Sequence, residues 1–72
     1  MKKINKIKIK VNGKLSKIDD NLSLFNYIQN FKVPLKKVAI ELNEEIIDKN
    51  MLKKIILKNN DKIEIVHFIG GG

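Results

Sequence analysis

Six residues near the start of the chain alternate without a slip: Lys6, Lys8 and Lys10 interleave with Ile7, Ile9 and Val11. A period of two puts the aliphatic side chains on one face and the ammonium groups on the other, so the segment reads as a strand with one buried face. Asn12-Gly13 follows directly. Both residues tolerate the positive φ of a two-residue hairpin turn, so the chain is expected to reverse and return over 14–18, with Leu15 or Ile18 inward. A lone hairpin cannot bury its apolar face. The rest of the chain must therefore supply further strands and a cover.

Asn21 is a candidate N-cap for a helix over about 22–31, since its side-chain oxygen can accept a free first-turn N–H. Leu22, Phe25 and Ile28, with Leu24 and Phe31, form an apolar stripe at helical spacing. Pro34 closes this segment by pushing Val33 out of the helical region. Val38–Leu42 reads as a strand, Asn43-Glu44 as a turn and 45–47 as a short strand. Residues 49–56 are ambiguous, with a helical turn as one reading. Asn59-Asn60-Asp61 is a turn in which Asn60 takes the left-handed conformation. The last strand covers 62–69, with Ile63 and Ile65 inward and Glu64, Val66 and Phe68 on the opposite face. The expected fold is α+β: a mixed sheet with parallel first and last strands at its centre, packed on one main helix. That is the ubiquitin-like β-grasp roll.

At 72 residues the chain has material for one core and none for a deep catalytic cleft with its supporting shell. One domain is expected over 1–69, with a flexible glycine tail at 70–72. There is no Cys, which removes disulfides, thiolate metal sites and a cysteine nucleophile. His67 is the single His, and nothing near it in sequence could orient it for acid–base work. No carboxylate pair joins a His at metal-ligand spacing, so neither a catalytic residue nor a metal site is expected. The net charge is +7, but all 15 basic residues are Lys. Lys, Ile and Asn together make up about half of the chain, a skew that points to source composition more than to a selected basic surface. Arg, which reads phosphates and bases bidentately, is missing, and nucleic acid is not an expected partner. No run approaches the ~20 apolar residues of a membrane span. The basic start Met1-Lys2-Lys3 is not followed by a signal-peptide apolar core. A cytoplasmic location, with no membrane partner, is expected.

The distinctive chemistry lies at the end, where Gly70-Gly71-Gly72 follows the last strand. Without a Cβ, such a tail can pass a channel too narrow for any side chain. The α-carboxylate of Gly72 could then reach another protein's active site and be activated there by adenylation. Val66 and Phe68, beside the tail and opposite the inward face, are the candidate docking residues together with Ile69.

Several segments resemble the ThiS family, the small sulfur carriers of bacterial thiamin biosynthesis. Val11-Asn12-Gly13 matches its hairpin. Val38-Ala39-Ile40-Glu41-Leu42-Asn43 matches its central strand, and Ile46-Ile47 its short strand. Leu57-Lys58-Asn59-Asn60-Asp61 matches a segment that usually reads Leu-x-x-Gly-Asp. The last ten residues, Ile63 to Gly72, match the family's ending closely. Asn60 replaces a usual Gly, Asp48-Lys49 stands where Pro-Arg is frequent, and Leu52 where Trp is frequent.

The resemblance implies a protein co-substrate and not an enzyme. A ThiF-type adenylating enzyme, using its own ATP and magnesium, would activate Gly72. A sulfur donor enzyme would convert the adenylate to a thiocarboxylate, and a ThiG-type thiazole synthase would receive the sulfur. Gly70 and Gly71 would thread into both active sites, and this chain would bind no cofactor itself. The alternatives are the small subunit of molybdopterin synthase, a ubiquitin-like modifier and a small basic RNA-binding module.

Overall fold

The computed structural model describes residues 5–68. The alternating segment is strand β1, Lys6–Val11, and it returns through Asn12 (φ 49°) and Gly13 (φ 83°) as β2, Lys14–Asp19. The two-residue turn pairs Val11 with Lys14, so Ile9 faces Ser16 and Ile7 faces Ile18. That register settles the return strand. Ile18 is buried and Leu15, of opposite parity, is 73% exposed.

Strand β3 (Val38–Leu42) turns through Asn43 and Glu44, both at positive φ, into β4 (Glu45–Ile46). The final strand, β5 (Lys62–His67), lies between β1, to which it is parallel, and β3, to which it is antiparallel. The sheet order is β2-β1-β5-β3-β4. This is the expected mixed sheet, with its parallel pair inside and β2 and β4 at the edges.

Helix α1 is shorter than its sequence suggests, spanning Leu24–Gln29. Asn21 is not its N-cap. It sits at φ 64° in the turn after β2, and Ser23 takes the cap, its Oγ accepting the Asn26 N–H at 3.0 Å. The cause is tertiary. Leu22 accepts the Leu57 N–H at 2.9 Å and Leu24 donates to the Ile55 carbonyl at 2.8 Å, so Leu22 and Ser23 are held extended against 55–57. The far end tightens into i→i+3 bonds from Asn30, Phe31 and Lys32, and Lys32 at φ 54° ends the run ahead of Pro34. Phe31 therefore lies outside the helix, 44% exposed, with its ring edge-on to Tyr27 at 5.2 Å.

The core lies between the inner sheet face and α1. Ile9, Leu24, Ile28, Val38, Ile40, Leu52 and Ile63 are essentially sealed from solvent. Tyr27 is buried as well. Burying aliphatic side chains of this size contributes roughly 1.5–3 kcal/mol each. Residues 47–61 close the open end of this sandwich. They form a 3₁₀ turn at Lys49–Met51, started by the Asp48 carboxylate accepting the Asn50 N–H at 2.9 Å. Leu52 and Leu57 then plug the core, while Met51 and Ile56 stay exposed.

Candidate functional site

Two turns hold the start of β5. Asn60 takes the left-handed conformation at φ 74°. Beside it, Asp61 uses both carboxylate oxygens internally, accepting from Asn43 Nδ2 at 3.0 Å and from the Lys58 N–H at 2.8 Å. Asn43 Oδ1 accepts the Lys62 N–H at 3.0 Å. Further along, Asn12 Oδ1 accepts the Ile65 N–H at 2.8 Å, carrying the hairpin turn onto β5 just beyond the last β1 pair. Side chains thus extend the support of β5 where the strand ladder stops.

Past Ile65 the strand is supported by β3 alone. Val66 pairs with Ala39 and His67 with Val38, and the Phe68 N–H donates to the Lys37 carbonyl at 2.9 Å. Alternation turns Lys62, Glu64 and Val66 to the solvent face. Val66 is 46% exposed and Phe68 61%. Lys49 Nζ stands 5.7 Å from the centre of the Phe68 ring, a cation–π distance that gives an otherwise open aromatic one fixed neighbour. The structure therefore places Val66 and Phe68 where the alternation had them. Ile69, Gly70, Gly71 and Gly72 lie outside the described residues.

Two members of this face were missed by sequence reasoning. Ile46, 73% exposed, pairs with Glu41 across β3–β4, and cross-strand partners project to one side. Glu41 shares that side with Ala39, so Ile46 and Ala39 join Val66 on the solvent face. The signal was available in the register set by the Asn43-Glu44 turn. It went unused because a two-residue strand shows no alternation of its own.

The described residues show no built reaction centre. His67 is exposed at the strand end, and no group of three potential metal ligands occurs among the described residues. Nor is any described helix long and apolar enough to cross a membrane. What this end of β5 can offer is an exposed surface of apolar groups beside Glu41, Glu64 and Lys49.

Comparison with known proteins gives that surface its context. The ThiS family model matches residues 6–72. The chain belongs to the ThiS family. The sulfur carrier protein ThiS of Bacillus subtilis is 37% identical over 65 residues, covering 89% of this chain and 98% of that one. A crystal structure of a ThiS protein from Geobacter metallireducens superposes with a TM-score of 0.79 at 30% identity, covering 92% of this chain and all of the other. A thiazole synthase of Magnetococcus marinus is 32% identical over 66 residues, and this ThiS-family chain spans 92% of itself but only 20% of that enzyme.

Proposed function

We propose that this chain is a sulfur carrier of thiamin biosynthesis, a co-substrate with no catalysis of its own, that Gly72 is the residue that bears sulfur, and that residues 1–69 form a docking body for the tail at 70–72. The Gly72 carboxylate attacks the α-phosphorus of ATP in a ThiF-type adenylating enzyme, expelling pyrophosphate and forming an acyl adenylate. Sulfide supplied by a donor enzyme then attacks the acyl carbon, forming the C–S bond as the C–O bond to AMP breaks, and leaves a thiocarboxylate. A ThiG-type thiazole synthase takes that sulfur. ATP and magnesium belong to the activating enzyme. Nucleic acid and membrane have no part in the cycle, which runs in the cytoplasm.

The observation that carries this reading is the exposed apolar face of Val66 and Phe68, set at the end of the last strand and separated from the glycines by Ile69 alone. With Ile69, these residues dock the body so that Gly70 and Gly71 can extend into the partner's site. A segment like this chain inside a thiazole synthase supports the final delivery step. Joining carrier and acceptor in one polypeptide raises the effective concentration of one for the other.

Intact mass after incubation with the activating enzyme, ATP and a sulfur source tests the proposal, with a chain lacking Gly72 in parallel. The full chain should gain the mass of an oxygen-to-sulfur exchange and the shortened one should not. An unmodified full chain, beside an enzyme shown to act on its own carrier, would remove the assignment.

A further inference from the structure

The hairpin edge of the sheet carries a second surface, apart from the face of Val66 and Phe68. Strand β2 is an edge, and the register shows which of its backbone groups are spent. Asp20 donates to the Asn5 carbonyl at 2.9 Å, so by alternation Ile18, Ser16 and Lys14 exchange bonds with β1. The N–H and C=O of Leu15, Lys17 and Asp19 point to the free side and have no partner among the described residues. On the inner side of this edge, a groove of about 390 Å³ opens between the hairpin and α1, lined by Ser16, Leu15, Lys14, Tyr27 and Phe31 among others. On the outer side, Lys8 and Lys17 stand directly opposite each other, a like-charge cross-strand pair that costs stability. Neither lies within ion-pair distance of a carboxylate among the described residues, whereas Lys6 has Asp19 at 2.6 Å and Lys62 has Glu44 at 3.5 Å.

We propose that the free edge of β2 is a binding site for an extended segment of another protein in which apolar and acidic residues alternate. The segment adds a sixth strand beside β2. Its main chain takes up the unpaired groups of Leu15, Lys17 and Asp19. Its apolar side chains enter the groove over Ser16, Tyr27 and Phe31, and its carboxylates meet Lys8 and Lys17 on the opposite face. The lysines choose the occupant. Lys on an edge strand repels a second copy of the same strand, so self-pairing is disfavoured and an acidic strand is favoured. The exposed apolar side chains at this edge are Leu15 and Phe31, with no Arg and no row of stacking aromatics, which fits a peptide better than a nucleic acid.

The probe is a ten-residue peptide of alternating Glu and Val, titrated into ¹⁵N-labelled full chain, with a scrambled peptide and a single-stranded RNA of equal length alongside. Binding should shift the amides of β2 and slow hydrogen exchange at Leu15 and Lys17. Lys17→Glu should weaken it on the order of tenfold. Lys17→Pro should abolish it while leaving the β1 ladder intact, because the N–H it removes faces outward. If the proline variant loses its dispersed spectrum, Phe31→Ala, which touches only the groove, serves in its place and should weaken binding severalfold. Equal shifts around Lys36, Lys53 and Lys54 would reduce the effect to general charge attraction and overturn the proposal. So would shifts without exchange protection, equal binding of the scrambled peptide, or tighter binding of the RNA.

Discussion

The two halves of β5 face different demands. In its first half Ile63 is paired on both sides, with Val11 of β1 and Leu42 of β3, and Lys62 pairs with Lys10 of β1. Ile63 is completely buried, and Asn43, Asp61 and Asn12 secure the backbone around it. Its second half keeps only β3 and turns Val66 and Phe68 to solvent. Six residues thus run from the best-held point of the molecule to an open contact surface. A strand that delivers a tail to another protein has to be anchored, but its anchor cannot be the surface the partner touches. On the function proposed above, the two tasks are separated along the strand.

Substitutions along β5 should show this division as a gradient. The largest effect belongs to Ile63→Ala, which leaves a cavity in a sealed site and should cost about 2–5 kcal/mol in urea unfolding. A loss below 1 kcal/mol would mean the first half is not the anchor. Asn12→Ala comes next. It removes the acceptor of the Ile65 N–H and puts a poor left-handed residue at φ 49°, for roughly 1–3 kcal/mol, with faster hydrogen exchange at Ile65 as the specific sign. Ser23→Ala lies away from β5 and removes only the helix cap. It should cost about 1 kcal/mol and leave exchange along β5 unchanged, which makes it the control for a general loosening. The smallest change in stability is expected of Phe68→Ala, within about 0.5 kcal/mol, as for surface positions generally. Its thiocarboxylate yield with limiting activating enzyme should nevertheless fall severalfold. If Phe68→Ala instead destabilised as much as Ile63→Ala, the division along the strand would be lost.

The parts of the fold visible in the sequence are those decided locally. Asn12-Gly13, Asn43-Glu44 and Asn60 are turns because few residue types accept a positive φ, and each takes one here. The alternation in β1, β3 and β5 gives the buried faces for the same reason. The helix start was misplaced because Asn21 and Ser23 are both competent caps. The choice between them comes from 55–57, more than thirty residues away, pairing with Leu22 and Ser23. Tyr27 was not assigned to the core, since the stripe drawn through Phe25 and Phe31 passed it by. The structure keeps Phe25 half-buried, with Lys53 Nζ 4.9 Å over its ring, and leaves Phe31 outside the helix. Of the exposed apolar face, Val66 and Phe68 followed from parity. Ile46 and Ala39 needed a register between strands that no single segment displays.

The parallel pairing of β1 with β5 also has a mechanical meaning. Because the two strands run the same way, chain preceding Lys6 and chain following His67 leave from opposite ends of the sheet. A pull between those two points slides β1 along β5 and loads their hydrogen bonds together, where an antiparallel pair held at adjacent ends would open one bond at a time. A protein gripped by its tail inside a partner, or tethered within a longer polypeptide, is stretched along this direction. Shear along this axis is thus the load that the β1–β5 pair meets with its hydrogen bonds acting together.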